Sequence, residues 1–279
     1  MFTSCAQPNA WHGHWQTSGT PNKASSSHAS GSPSSAGLYY EQYGHETTTY
    51  IVARIAGWES DPARRLSYFS QAPDDLAFCY SAPAVAVWGS APGLWGYRHR
   101  IVAVLHSLHG GDADAVLRRR EDLRQLVAAS SKTTPGNDWK TGFLIHAMGD
   151  SYAHVKPGPD GREVAYGQLV GHGFDNSVKP DHISAHFDTY RKYVTNLHAA
   201  LAIHGGNAKE LNRFLDAGGK AANIPDQSGR EESVKETIQA FHPFDEVPFT
   251  ELTAKDFDSW KHEIKDVDSF LRDLEKKLR

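Results

Sequence analysis

The chain has 279 residues, of which 39% are hydrophobic, and a formal net charge of −4 at pH 7. No apolar run approaches the roughly 18 residues that a membrane-spanning helix needs, so we expect a soluble, globular chain of one or two domains. The slightly acidic balance argues against the basic stripe typical of stable nucleic-acid binding. Two cysteines cannot build a disulfide framework, and with 16 histidines any bound metal would have nitrogen and oxygen ligands.

The N-terminal part of the sequence does not look like a folded segment. Residues 16–37 are mainly Ser, Gly, Pro, Ala and Thr without periodic apolar residues, a composition that buries too little surface to offset the entropy of ordering. We therefore expect a flexible leader over residues 1–37 and a single folded domain over residues 38–279. The first 15 residues lack a basic n-region and an apolar h-region, so we expect no conventional signal peptide. The protein would then remain in the cytoplasm or leave by an unconventional secretion route.

Helical periodicity and capping signals dominate the rest of the chain and predict an all-α fold. Asp61-Pro62 predicts a helix with Asp61 as its N-cap, and Asp112 is the predicted N-cap of a later helix. Gly218-Gly219 predicts a helix end, and β-branched stretches occur only at 84–88 and 101–105. The predicted helices cover residues 38–56, 61–71, 112–126, 138–154, 181–204, 207–217, 232–241 and 254–279.

The segment 142–154 carries the most informative pattern. Residues four apart on a helix lie on the same face one turn along the axis, so His146, Asp150 and His154 would line one face. The residues between them are mostly apolar or small, which predicts a helix buried around much of its circumference. Buried histidines and carboxylates are costly unless they are paired or bind a metal. The pattern thus indicates either a core aspartate hydrogen-bonded by two histidines or a metal site.

Further residues that could bind a metal are spread along the chain. An aspartate with a histidine one turn away on each side can bridge two metal ions, which lie about 3.5–4 Å apart in phosphoesterases. Two ions need more ligands than this helix offers. The other candidates are His45, Asp74, Asp75, His106, His109, His172, Asp181, His182 and His186.

The order of these residues resembles the zinc-dependent phospholipase C and single-strand nuclease superfamily, and in particular its little-characterised bacterial branches. These pair a histidine-bearing early helix and a Gln-x-x-Asp-Asp segment with a His-x-x-x-Asp-x-x-x-His helix and a later Gly-His…Pro-Asp segment. The similarity spans about residues 38 to 190. The matching positions are His45, Gln71 to Asp75, His106, His146 with Asp150 and His154, Gly171-His172 and Pro180-Asp181.

The resemblance implies a single-domain helical bundle that holds two or three zinc ions. A third ion would use His45, with Asp150 as the bridge. The N-terminal tryptophan that is a ligand in the characterised members has no equivalent here. The first ion would be held by Asp74 or Asp75, together with His106, His146 and Asp150.

The residues that would bind the second zinc ion match the family pattern less closely. It would use His154 and His172, with Asp181 as the carboxylate. In the family this carboxylate follows its histidine by four residues, but Asn176 occupies that position here. Asp175 precedes that position, and Asp181 is the aspartate that matches the Pro-Asp segment of the family.

The activity implied by the resemblance is zinc-dependent hydrolysis of a phosphate ester by activated water. Zinc lowers the pKa of bound water from 15.7 towards about 7. Whichever of Asp74 and Asp75 is not a ligand would orient or deprotonate that water. The resemblance favours a phospholipid substrate, met at a membrane surface, and a nuclease or nucleotide phosphodiesterase is the alternative on the same fold.

Two other classes of protein share features with this sequence. Gly149-Asp150-Ser151 imitates the nucleophile block of GDS-type lipases, but it lies mid-chain within a predicted helix and no Asp-x-x-His follows. A non-catalytic, metal-stabilised binding or interaction protein stays open. A structural zinc site is closed whereas a catalytic one keeps a position for water, and a sequence does not reveal the number of open positions.

Overall fold

The computed structural model describes residues 42–75, 80–82, 85, 93–168, 182–202, 205–245 and 254–278. These residues belong to one compact unit, and the predicted leader over residues 1–37 lies outside them. The described chain is mainly helical with one two-stranded sheet, which confirms the predicted all-α class. Within these ranges, no helix combines the length and the apolar character that crossing a bilayer requires.

The described ranges contain ten α-helices and one antiparallel pair of strands. The helices are α1 (Thr48–Ile55), α2 (Ser60–Gln71), α3 (Trp95–His99), α4 (Ala113–Ser131), α5 (Asp138–Ala153), α6 (Phe187–Leu201), α7 (Ala208–Ala222), α8 (Arg230–Gln239), α9 (Ala254–Trp260) and α10 (Val267–Lys277). The strands are β1 (Val155–Pro157) and β2 (Glu163–Ala165), with Val155 opposite Ala165. Two segments are π-helical, Tyr43–Thr47 before α1 and Arg100–Leu105 after α3. Short 3₁₀ turns cover Ala72–Asp74, Ile183–His186, Pro243–Asp245 and Lys261–Glu263.

Helix α5 is the central helix of the described unit, and it packs against α2, α4 and α6. Almost every residue from Asp138 to Ala153 is buried, which confirms the burial predicted from its composition. Gly142 permits the closest of these contacts. A Cβ at Gly142 would lie 2.3 Å from the Cβ of Phe69 and 2.6 Å from its carbonyl carbon. Only glycine therefore allows α2 and α5 to approach this closely.

Two predicted N-caps have different outcomes. The Asp112 side chain accepts a 2.9 Å hydrogen bond from the backbone N–H of Ala115, as predicted for the start of α4. The prediction for Asp61 is wrong, because α2 begins at Ser60 with the extended residue Glu59 as its N-cap. Asp61 instead lies in the first turn, where a carboxylate still interacts favourably with the helix dipole.

The helix end predicted at Gly218-Gly219 is also wrong, because α7 continues through both glycines to Ala222. A Cβ at Gly218 would lie 2.9 Å from the Cε2 of Phe187, and one at Gly219 would lie 3.0 Å from an Arg191 guanidinium nitrogen. The glycines therefore serve the close packing of α7 against α6.

The predicted helix over 254–279 is two helices separated by a turn. The 3₁₀ turn Lys261–Glu263 follows α9, and Asp266 has a left-handed backbone with φ 55°. The turn lets the two helices meet different neighbours. Trp260 packs edge-to-face on Tyr68 of α2, whereas α10 packs against the π-helical segment Arg100–Leu105.

One of the two β-branched stretches, the weak strand signals of the sequence, is helical. Residues 101–105 are π-helical and completely buried, so their β-branched character reflects burial. Most of the other predicted stretch, 84–88, lies outside the described residues. The hairpin of β1 and β2 was not predicted, although Gly158-Pro159-Asp160-Gly161 is a turn signal between its strands.

The fifth predicted helix, over residues 181–204, is shorter in the structure. Its first turn is the 3₁₀ segment Ile183–His186, and α6 itself runs only from Phe187 to Leu201. Asp181 lies outside the described residues.

Candidate metal centre

The elements around α5 bring three histidines to one carboxylate. His146 and Asp150 lie one turn apart on α5. His45 lies in the π-helical turn before α1, and His106 directly follows the π-helical segment after α3. π-Helical turns are rare and are found frequently at functional sites.

Asp150 is at the centre of this cluster. Its Oδ1 lies 3.2 Å from the Nε2 of His45, and its Oδ2 lies 3.0 Å from the Nδ1 of His106 and 3.2 Å from the Nε2 of His146. The three histidines are completely buried and Asp150 is 2% exposed. The rings of His45 and His146 stack with their centroids 4.3 Å apart.

Main-chain carbonyls fix which nitrogen carries the proton on two of these rings. The Nε2 of His106 lies 2.8 Å from the carbonyl oxygen of Tyr80, and the Nδ1 of His146 lies 2.9 Å from that of Ser70. Because a carbonyl oxygen only accepts, each of these nitrogens donates. In a neutral ring the other nitrogen then presents a lone pair, and both lone pairs point at the Oδ2 of Asp150.

This arrangement fits a metal cation. The two nitrogens are 3.1 Å apart, so three electron-rich atoms converge and repel one another unless a positive charge lies among them. Donor atoms of a tetrahedral zinc ion are about 3.3 Å apart at ordinary zinc–ligand distances. A histidine whose second nitrogen is held by a carbonyl is also the usual arrangement of a metal ligand.

The protonation of Asp150 agrees with this interpretation. Burial by itself would raise the pKa of Asp150, but positive charge among the imidazoles around it holds it well below its usual value. Asp150 is therefore a carboxylate at neutral pH. Carboxylate oxygens and imidazole nitrogens together form a donor set that zinc commonly uses.

Asp74 adds a second carboxylate to the same cluster. It ends the 3₁₀ turn Ala72–Asp74 after α2 and is buried. One of its oxygens lies 3.7 Å from the Nδ1 of His106 and 3.8 Å from the Nε2 of His146, and the other lies 3.7 Å from the Nε2 of His45. Neither oxygen accepts a hydrogen bond from the described part of the chain. Both oxygens are thus placed to bind a cation.

The ligand atoms form two overlapping groups, each with its atoms within 4.8 Å of one another. One group is His106, His146 and Asp150, and the other is His45, Asp74 and His146. Each of the two carboxylates directs one oxygen towards His45 and the other towards the remaining histidines. The arrangement therefore offers two adjacent positions for a cation.

Asp75 is in a different environment from Asp74. It is half-buried and belongs to neither group of ligand atoms that the described residues form. Burial, followed by the charges of Asp75, Asp258 and Glu263, raises the pKa of Tyr68. The Asp75 carboxylate therefore lies near enough to Tyr68 to affect its pKa. The structure thus brings Asp74, the first of the two aspartates, to the histidines.

His154 contacts the centre through the main chain. It lies one residue beyond the end of α5, and its Nδ1 donates a 2.7 Å hydrogen bond to the carbonyl oxygen of His106. The same nitrogen is 3.7 Å from the Oδ2 of Asp150. Burial lowers the pKa of His154 and keeps its ring neutral. His172 and Asp181 lie outside the described residues, so the second zinc ion of the resemblance stays a prediction.

The remaining candidate histidines do not belong to the two ligand groups. The Nδ1 of His182 is 3.9 Å from a carboxylate oxygen of Glu231. His186 is in the 3₁₀ turn before α6, and His109 is in the loop after His106. The ligand atoms of these three histidines are in neither group that the described residues form.

Several supporting groups could not be found from the sequence. The carbonyls of Ser70 and Tyr80 belong to the main chain and leave no signal in residue types. The Ser70 hydroxyl lies 3.2 Å from the carbonyl oxygen of His45, and the Ser107 hydroxyl donates to the carbonyl of Ala147 at 2.8 Å. Ser107 has φ 50°, and this hydrogen bond fixes the loop after His106 to α5.

Comparison with protein families, characterised proteins and solved structures found no match for this chain. Function is therefore inferred from the residues of the centre. The cluster combines three imidazole rings with two carboxylates in a buried environment, a set of groups that could hold a metal ion.

Proposed function

We propose that this protein is a zinc-dependent hydrolase of phosphate esters, with its centre at His45, Asp74, His106, His146 and Asp150. The observation that carries the proposal is the convergence of two carbonyl-fixed imidazoles on Asp150, because this geometry suits a cation. Asp74 and Asp150 each direct one oxygen towards His45 and the other towards His106, which supports chemistry at more than one ion. Paired metal ions are typical of enzymes that cleave phosphate esters.

When bound, zinc would supply Lewis acidity, which lowers the pKa of water towards about 7 and neutralises charge on phosphoryl oxygens. Asp150, His106 and His146 would hold the ion. The Asp74 carboxylate accepts no hydrogen bond from the described residues, so it is available either as a further ligand or to accept the proton of the attacking water. Half-buried Asp75 is the second candidate for the proton acceptor.

The substrate class follows from the resemblance stated above. A phospholipid met at a membrane surface is the first choice, and a nucleotide or single-stranded nucleic acid is the alternative. No stable association with nucleic acid is expected in either case, because the chain carries a net charge of −4.

The burial of the centre favours a second candidate function, a non-catalytic protein stabilised by its metal. The three histidine side chains are inaccessible, and the Asp74 and Asp150 side chains are 4% and 2% exposed. A closed coordination shell is typical of structural zinc, whereas catalytic zinc keeps a position for water. The two candidates share the metal and differ in whether substrate reaches it.

Elemental analysis of the purified protein tests the metal. We expect at least one equivalent of zinc in the wild type, and its loss in Asp150→Asn and His146→Ala. His262→Ala is the matched control, because His262 is an exposed histidine in the turn between α9 and α10. Equal metal content in all four proteins, or no metal in the wild type, would contradict the proposal.

Activity assays separate the two functions. The zinc-loaded protein is incubated with bis(p-nitrophenyl) phosphate, a short-chain phosphatidylcholine and single-stranded DNA. Turnover that Asp150→Asn abolishes and His262→Ala retains supports the hydrolase, and the preferred substrate identifies its class. Tight zinc binding without turnover of any substrate supports the structural site.

A further inference from the structure

Three consecutive arginines on α4 have very different surroundings. Arg118 is exposed. Arg120 is 6% exposed and well compensated, because its Nε donates to the carbonyl of Ser151 at 3.0 Å and its Nη1 pairs with Glu163 at 2.6 Å. Its guanidinium also lies 4.2 Å from the centre of the Tyr152 ring. Arg120 shows what a buried guanidinium normally requires in a protein.

Arg119 lacks this compensation. Its Nη1 is buried and has no hydrogen-bond acceptor within the described ranges, and no described carboxylate lies within 4 Å of its guanidinium. Burial lowers the pKa of Arg119 to about 10, and the charge of Asp122 opposes this shift only partly. Arg119 is half-buried, and a buried N–H of a guanidinium without an acceptor is costly, so an anion that accepts from it would be stabilising.

His109 is a second basic group beside Arg119. It lies in the loop that begins with His106, next to Gly110 and Gly111, which both have positive φ. Burial and then the charge of Arg119 lower the pKa of His109 to about 4, although a hydrogen bond to the Gly110 backbone opposes the shift. A Cβ at Gly111 would lie 3.7 Å from the Nδ1 of His109 and 2.9 Å from the Cβ of Ala115, which is one turn before Arg119 on α4. His109 and Arg119 thus lie near one another, and the charge of Arg119 disfavours protonation of His109.

We propose that Arg119 and His109 form a binding site for a phosphate group. A guanidinium matches the oxygen pairs of phosphate and binds them with charge-assisted hydrogen bonds. A bound dianion would also favour protonation of His109, so its two charges would balance two cations. A carboxylate would balance Arg119 alone. The site needs no metal and therefore stands apart from the proposed hydrolase activity.

Titration calorimetry on the full-length protein, in buffer free of phosphate and sulfate, tests the site. Inorganic phosphate, glycerol 3-phosphate and vesicles containing phosphatidic acid are the probes, so that free phosphate and a lipid headgroup are distinguished. Arg119→Met removes the guanidinium and keeps most of its apolar stem. Arg118→Met is the matched control, since it makes the same change on the exposed face of the same helix.

We expect wild type and Arg118→Met to bind at least one phosphate probe equally well, and Arg119→Met to bind it at least about tenfold more weakly. His109→Gln should weaken binding in the same direction. Phosphate at about 10 mM should raise the melting temperature of wild type and Arg118→Met but not that of Arg119→Met. The melting temperature of Arg119→Met without phosphate should be no lower than that of wild type, because a half-buried cation with an unpaired N–H is removed.

Two results would overturn this inference. One is wild-type protein that binds none of the probes. The other is Arg119→Met that binds phosphate as tightly as wild type, which would place phosphate at the metal centre or another cation.

Discussion

The Nδ1–H of His154 donates a 2.7 Å hydrogen bond to the carbonyl oxygen of His106. The end of α5 is thereby attached to the backbone of the residue whose own ring faces Asp150. His106 and His146 are held by carbonyls in the same manner. Three imidazoles are thus oriented by the main chain, and the centre is as rigid as the helices that carry it.

The first prediction concerns this contact. His154→Ala leaves the buried His106 carbonyl without its donor, and we expect a loss of about 1–3 kcal/mol in the free energy of unfolding. His154→Asn should lose less, because its side-chain amide nitrogen occupies nearly the place of Nδ1. Urea denaturation in the presence of a chelator measures both without any metal contribution. Equal stability of the two variants would show that the hydrogen bond is unimportant.

The second prediction concerns metal removal. A ligand at about 1,000 times its dissociation constant stabilises the folded state by about 4 kcal/mol. For a chain of this size that corresponds to a melting temperature about 10 °C higher than that of the chelated protein. Asp150→Asn should melt at the same temperature with chelator and with zinc, whereas His262→Ala should respond as wild type does. If the chelator does not change the melting temperature of the wild-type protein, the metal centre is contradicted.

The third prediction concerns the contact of α2 with α5. Gly142→Ala places a methyl group 2.3 Å from the Cβ of Phe69, so the helices must separate. We expect a destabilisation of about 3 kcal/mol or more, since overpacking against backbone is hard to relieve. Gly167→Ala is the control, because a Cβ there meets nothing within 4 Å. Thermal melting compares the two, and similar melting temperatures would argue against this packing.

The fourth prediction concerns pH. The pKa of His109 is about 4 in the folded protein, against about 6.5 when unfolded. Between these values the unfolded chain binds more protons, so the free energy of unfolding rises with pH through this range and falls on acidification. Allowing for solvent screening of a half-buried group, His109 contributes about 1–2 kcal/mol to this change.

His109→Gln isolates that contribution. In phosphate-free buffer its unfolding free energy should change less than that of wild type between about pH 4 and about pH 7. The other titrating groups are common to both proteins and cancel in the comparison. An identical pH dependence in the two proteins would show that the pKa of His109 is close to its unfolded value.

Local patterns made the main helix predictable. The four-residue spacing of His146 and Asp150 and the apolar residues between them depend only on helix geometry, and α5 is a buried helix with both groups on one face. The helical spacing did not predict the position of His154, because the helix ends at Ala153 and the His154 ring faces a main-chain carbonyl.

Tertiary contacts explain what the sequence did not reveal. The choice of Asp74 over Asp75 depends on how the turn after α2 meets α5, and adjacent identical residues carry no signal for it. Glycine at position 218 is typical of a helix end, but here it allows the helix to pack closely against the ring of Phe187. Carbonyl partners such as that of Ser70 are invisible in residue types.

The two π-helical segments have a consequence for how this centre could vary. An α-helix links the direction of every side chain to the apolar stripe that packs the core, so moving a ligand would also move the packing. A π-helical turn contains more residues than an α-helical turn. At His45 and just before His106 the direction of the side chain is therefore no longer tied to the apolar stripe. Insertion or deletion of a single residue there would re-aim one ring while the helices on either side keep their register. The histidines of the cluster could therefore be re-oriented one at a time on an unchanged helical scaffold.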